Sequence, residues 1–506
     1  MVTKRNILLL NLLIFTVIII AFFLRIVPAF ERDIIFDEAF TISHLIKLSS
    51  VEEIVNADPS VPPLNYLMVK FLAQFSNSVI FVRICSVLFS ISSLILIYYW
   101  MRRYSRVAAA FSLILLSFSS YMLFYSWQAY VYSQLLFLSL TSTFMFYKIM
   151  YEKVQRLKIY LIIFVISTLA SFFTHYSYIW TIVGFILFWI FERLLDLQNR
   201  NRISRQRSGL GLALSIVIFT ILAYLPVILN RLSSALTNVS WMQPVSIYSI
   251  GQATNSLLGY FDSYGPYVEN PLYRTVGYLL GILVLCLSII VSVIAVKRNY
   301  YRSFILFANF IIIATIMFPF IVSYILGHSI FAIRSMQLGA VFITCVLSLY
   351  FDKLFRLHEF GRWLVISTLI ISIVVFFRLN RNTEPVLQEQ DVAKYYAEWL
   401  VLNTKNMDLP LNIFFFNRYS PIPHIDTEQN HVVFDYYWDK YLRNNLVKSY
   451  RRITQEDLKN GETNFYLATM RGKTDEVIDD IGCINPKVVY TNPDRQYLKL
   501  YKCSLD

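Results

Sequence analysis

Asp37 and Glu38 stand side by side in FDEAFT, directly after a long apolar run, and Asp58 follows about twenty residues later, ahead of Pro62 and Pro63. Carboxylates where a chain leaves a bilayer suit proton chemistry, because partial burial raises their pKa towards neutrality. The same residue types also suit a helix start, Asp as N-cap and Glu in the first turn. On residue type alone both readings stand. Arg83 and Arg334 lie near the ends of apolar blocks. A charge there either snorkels to headgroups or faces a cavity, where it can hold an anion such as phosphate. Arg25 and Lys70 are weaker cationic candidates, and Tyr66 is placed to line a binding groove. His175, in FFTHYSY, reads either as a satisfied structural histidine or as a phosphate or metal contact. The sequence has no His-x-x-x-His, no cysteine pair at metal spacing and no Asp-x-Asp in this first loop. Nothing therefore supports a divalent metal, and no other cofactor is indicated.

What must position these groups is a membrane. The chain has 506 residues, 57% of them hydrophobic and 15% charged, against about 25% charged in a soluble protein. Mean hydropathy is +0.54. Apolar blocks of about twenty residues recur, long enough to cross a hydrocarbon core of roughly 30 Å. The net charge of +13 lies in short connectors between those blocks, as membrane topology requires, and does not indicate nucleic acid. The first block follows Lys4 and Arg5. It is longer than a signal-peptide core and lacks a cleavage site, so it reads as a retained helix.

Eleven spans are expected, at about 7–27, 79–101, 107–125, 129–150, 159–175, 177–195, 209–229, 273–296, 303–326, 330–350 and 362–379. Every second connector is basic, from Arg102, Arg103 and Arg106 to Lys353, Arg356 and Arg362, while the first outer connector is acidic. The positive-inside rule then puts the N-terminus in the cytoplasm, and the acidic loop and C-terminal segment outside a plasma membrane or its equivalent. Residues 1–379 form the expected membrane domain, with outer loops 28–78 and 230–272. Helical patterns at 38–50 and 64–76 are expected along the interface. The second loop, rich in Ser, Asn, Tyr, Gly and Pro, reads as a lid, an acceptor-binding loop or an aromatic anchor.

Residues 380–506 have a soluble composition, and strand-like runs at 412–416, 431–438, 464–470, 487–490 and 497–503 suggest a small extracytoplasmic α/β domain. Cys85, Cys286 and Cys345 lie in apolar blocks as packing residues. Cys483 and Cys503 lie in the outer segment as a disulfide or as two thiols.

FDEAFT, DPSVPPLNY and FVRICSVLFS together resemble the opening of the GT-C glycosyltransferases that use polyprenyl-phosphate sugars, among them the protein O-mannosyltransferases and the aminoarabinose transferases of lipid A. The likeness is specific over about residues 1–190 and architectural beyond. It implies an inverting transfer from an undecaprenyl or dolichyl phosphate donor to a protein, lipid or glycan acceptor. The matching positions make Asp37 the catalytic base, with Glu38 beside it, and place Arg83 at the donor phosphate. Arg334 lies outside the matched stretch and joins it as a second phosphate candidate by its place at the end of an apolar block alone. Glu38, Asp58 and Tyr66 would then orient acceptor or sugar. Gln128 and Tyr132 of QAYVY fall in register with a second family segment, and His175 matches a histidine common in the family. Two positions depart from the pattern. Val61 stands where many relatives have His, and Tyr130 where they have Arg.

Two rival classes make different demands. A transporter or lipid flippase would carry ionisable groups at mid-span and internal repeats, and the blocks show neither. A non-catalytic scaffold of a cell-envelope assembly would have a dispensable acidic loop.

Overall fold

A computed structural model of the chain describes residues 4–32, 62–75, 79–152, 154–198, 205–238, 301–326 and 336–357, five strands within 411–504, and scattered positions between them. The chain divides into two compact units. One comprises Met1–Glu31 with Ser50–Arg381, the other Arg32–Ser49 with Asn382–Asp506. Residues 32–49, expected with the membrane domain, thus group with the C-terminal segment.

The first unit is helical. Its elements are α1 (Lys4–Glu31), α3 (Leu64–Ala73), α4 (Val79–Met101), α5 (Arg106–Ser117), α6 (Ser120–Ser126), α7 (Val131–Tyr151), α8 (Leu157–Thr174), α9 (Ile179–Gln198), α10 (Arg205–Asn238), α11 (Arg302–Ile312), α12 (Phe318–Leu326) and α13 (Gln337–Leu357). The short helix α2 (Phe36–Ala39) belongs to the second unit. Among the described residues seven helical stretches are long and apolar enough to cross a membrane, and the chain is an integral membrane protein. Helix α7 is as long but more polar. It packs against α4 and α8, and its buried hydroxyls bond to backbone carbonyls, as the Ser133 hydroxyl does to Tyr125 O at 2.9 Å. A polar helix is tolerated in a bilayer where its groups are satisfied inside the protein.

The expected block 107–125 is not one helix. It breaks into α5 and α6, and twelve residues reach only about 18 Å. Apolarity hid a stop signal. The Ser119 side chain accepts from Met122 N at 3.4 Å and starts α6, while the guanidinium of Arg25 takes up the last carbonyls of α5. The expected block 303–326 is one continuous stretch interrupted by a π turn at Ile313–Met317. That turn lies between two glycines, since a Cβ at Gly184 would meet Ala314 Cβ at 2.9 Å and one at Gly339 would meet Thr315 Oγ at 2.7 Å. Close approach of small residues lets α9 and α13 pack directly on the turn. The blocks at 273–296 and 362–379 lie largely outside the described residues.

The core of the bundle is aromatic. The Phe146 ring stacks on Phe185 at 4.5 Å and on Phe307 at 5.7 Å, and Trp100 is enclosed by Phe144, Phe304 and Phe342.

In the second unit β1 (Leu411–Asn417), β2 (Tyr450–Arg452), β3 (Asn464–Arg471), β4 (Ile484–Thr491) and β5 (Lys499–Ser504) form a mixed sheet in the order β2-β1-β3-β5-β4. β1 runs parallel to β2 and β3, and β5 antiparallel to β3 and β4. Buried Ile413, Tyr466 and Leu500 share one face by register. Pro486 is accommodated because β4 is an edge strand with an irregular register between Ile484 and Lys487. The strand β2, a charged YRR edge, carries no apolar pattern and was not expected, and the expected strand at 431–438 lies outside the described residues. Cys503 is disulfide-bonded. Cys85, Cys286 and Cys345 are free thiols, and Cys483 lies outside the described residues.

Candidate functional site

The helices of the bundle begin and end at two levels. One level holds the starts of α4, α7, α9 and α13 and the end of α1. Arg83, in the second turn of α4, is 3% exposed. Its Nη1 donates to Ala29 O of α1 at 3.2 Å, and its guanidinium carbon lies 4.9 Å from the centre of the Trp127 ring. A cation this deep in a bundle needs carbonyls, a π face or an anion around it.

From Trp127 a run of ring contacts continues through Phe124 and Tyr125 to Tyr132, whose ring lies 6.1 Å from that of His175. His175 closes α8 and opens the next turn. Its Nδ1 accepts from Ser177 N at 3.2 Å and lies 2.7 Å from the Ser177 hydroxyl. A ring nitrogen that accepts from a backbone N–H carries no proton, so in the neutral ring the proton resides on Nε2. Nδ1 is thus engaged within its own turn.

Arg83, Tyr132 and His175 are thus brought to one end of the bundle. Gln128 and Tyr66 belong to the same unit, both 1% exposed. Gln128 stands between Trp127 and the start of α7, and its Nε2 is buried without a hydrogen-bond partner. Beside Tyr66, Asn65 Nδ2 donates to Gln134 Oε1 of α7 at 2.8 Å, and its own Oδ1 has no partner. Tyr130, in the position of the family arginine, packs its ring 5.3 Å from Tyr132. Asp37 lies in α2, its side chain outside the described residues, and Glu38 is fully buried. Asp58 and Arg334 also lie outside the described residues. Among the described residues no three His, Cys, Asp or Glu side chains gather as a metal site would need.

Arg25 has a structural task that sequence reading undervalued. It is fully buried, and donates to Ser90 Oγ at 2.9 Å, Ala21 O at 3.0 Å, Ser117 O at 3.3 Å and Leu116 O at 3.4 Å. A cation at the C-terminus of a helix is stabilised by the unsatisfied carbonyls and the dipole.

Sequence reading missed a cleft at the same end. It is bordered by Ser139 of α7, Ser177, Trp180 and Thr181 at the start of α9, Thr315 of the π turn, and Gln337 at the start of α13. These are uncharged residues inside apolar blocks, and no spacing marks them. Only the fold assembles them.

No family model matches the sequence, and no curated protein does. Among solved structures, the chain is similar to ArnT from Cupriavidus metallidurans bound to undecaprenyl phosphate, at 9% identity and a TM-score of 0.53, over 99% of this chain and 98% of that one. A second is the archaeal oligosaccharyltransferase AglB from Archaeoglobus fulgidus, in complex with an inhibitory peptide and a dolichol-phosphate. It is similar at 11% identity and a TM-score of 0.49, over 92% of this chain and 70% of that one. At such identities the likeness is one of fold, and the chain shares the fold of ArnT, the GT-C architecture to which its opening motifs point.

Proposed function

We propose that the chain is an inverting glycosyltransferase that moves a sugar from a polyprenyl phosphate to an acceptor outside the membrane. The observation that supports this best is Arg83, a guanidinium buried at one end of a membrane bundle whose fold is shared with a protein bound to undecaprenyl phosphate. In the reaction an acceptor oxygen attacks the anomeric carbon as the bond from that carbon to the phosphate oxygen breaks. The electron pair leaves with the phosphate, where Arg83, with Arg334, stabilises the added charge. The acceptor proton passes to the carboxylate of Asp37. Asp58 orients the acceptor.

Eleven spans and an extracytoplasmic α/β domain belong to this reading. The disulfide at Cys503 supports the outer placement, since such bonds persist in oxidising compartments.

The test is incubation of the purified chain with labelled polyprenyl-phosphate sugars and membrane extract, followed by identification of what becomes labelled. Asp37→Asn should lower transfer by about 10³-fold or more, the scale of a lost catalytic base, while membrane insertion and folding persist. Transfer by that variant at the wild-type rate overturns the assignment of the base.

A further inference from the structure

The cleft between α7, α9, the π turn and α13 holds polar groups that the fold does not use. It is partly open, and its interior has a volume of about 20 Å³, room for one water-sized group. Two of its polar groups are satisfied: the Thr315 hydroxyl donates to Ile311 O at 2.7 Å, and the Ser177 hydroxyl pairs with His175 Nδ1 at 2.7 Å. Thr181 and Gln337 differ. They are 3% and 4% exposed, border the cleft, and make no side-chain hydrogen bond among the described residues. Both line the cleft and neither is sealed away without a partner, so their hydroxyl and carboxamide are open to whatever occupies it.

The chemistry of the lining restricts what that is. None of the described residues bordering the cleft is charged. A phosphate or an ammonium group would be desolvated there without a counter-charge, at a large cost. A hydroxyl and a carboxamide can each donate and accept, which matches the hydroxyls of a polyol. Trp180 adds a broad apolar surface of the kind that covers the C–H face of a ring. The width of the enclosed part suits one hydroxyl or hydroxymethyl group rather than a whole ring.

We infer that this cleft receives the hydroxyl-bearing edge of an uncharged sugar ring, with Thr181 and Gln337 as its hydrogen-bond partners and Trp180 against its apolar face. The inference rests on the transfer reading above and narrows its substrate class to neutral sugars. It also fits the layout of that end of the bundle. The cleft meets His175 through Ser177, and the run of rings from His175 leads back to Trp127 and Arg83. Arg83 and the cleft thus belong to the same end of the bundle.

The test uses the full chain in lipid nanodiscs with two labelled donors, undecaprenyl-phosphate mannose and an undecaprenyl-phosphate amino-pentose carrying an ammonium group. Wild type should use the neutral donor and not the cationic one. Thr181→Val and Gln337→Leu should each raise KM for the neutral donor about fivefold, the worth of one uncharged hydrogen bond, with kcat within about twofold. Thr344→Val, whose hydroxyl is already engaged by Ala340 O at 2.9 Å, should leave KM unchanged and controls for damage to α13. Wild-type KM in both cleft variants, or equal use of the cationic donor, overturns the inference while leaving the transfer reading standing. If wild type, supplied with membrane extract as the source of acceptor, transfers neither these nor any other polyprenyl-phosphate sugar, the transfer reading itself fails, and the inference with it.

Discussion

The two ends of the helical bundle use their polar residues in opposite ways. At the end where α4 and α7 finish, polar groups are joined in pairs, most of them between elements. Arg103 bonds to Glu152, and Arg356 bonds to Asp352 at 2.9 Å and to the N-cap Ser105 at 3.1 Å. Tyr151 donates to Glu192 at 2.7 Å, and Lys148 to Tyr160 at 2.9 Å. Burial pushes the phenol of Tyr104 there well above its ordinary pKa, so it stays a neutral donor. At the opposite end the polar residues are mostly uncharged and deeply buried, Gln128, Asn65, Thr181 and Gln337 among them, and Gln128 Nε2 and Asn65 Oδ1 have no hydrogen-bond partner among the described residues. Buried atoms without a partner among the described residues occur at both ends, Trp100 Nε1, Arg193 Nε and Asp352 Oδ2 at the first. It is therefore charge that separates the two: ion pairs tie connectors together at one end, and uncharged polar groups prevail at the other. Three arginines sample this difference, and each can be used to break it.

The largest effect is expected at Arg25, the exception at the second end because its polar capacity is spent on the fold. Arg25→Leu removes bonds to the carbonyls of Leu116 and Ser117 and leaves them buried. Two buried carbonyls left without a partner cost about 1–3 kcal/mol each, to be read as a large drop in thermal unfolding temperature in detergent. A small drop would mean that the break between α5 and α6 holds without it. Arg83→Ala should act differently. Its stability loss should be modest, while transfer falls by about 10²-fold through kcat, as when one donor to a developing charge is removed. Unchanged transfer would return Arg83 to the status of a headgroup anchor.

These contrasts also show what a sequence reveals. A charge inside an apolar block is visible at once, so Arg83 and Arg25 could be singled out, and the expected limits of α4 match the structure at 79–101. The tasks of the two arginines were not visible, because they depend on which carbonyls and rings come near. Apolar content likewise saw 107–125 as one span and could not weigh a single serine cap against it. Thr181 and Gln337 gave no signal at all. Their significance is that two hydroxyl and carboxamide groups from distant helices border one space, and only packing creates that.

Arg103 should show the smallest effect, and its smallness is informative. Its side chain and that of Glu152 are 27% and 34% exposed, so water screens the pair, and such pairs contribute about 0–1 kcal/mol. The guanidinium also lies 5.3 Å from the Tyr99 ring centre and 5.1 Å from that of Phe144, adding about 0.5–1 kcal/mol at a partly exposed site. Arg103→Gln should therefore lower stability by about 1 kcal/mol and leave KM and kcat as they are. The ion-pair share should shrink when unfolding is repeated in high salt, because exposed charges are screened within a Debye length. A loss of transfer in Arg103→Gln comparable to that of Arg83→Ala would show that the two ends are energetically coupled, and that the division between a stapled end and a binding end does not describe this molecule.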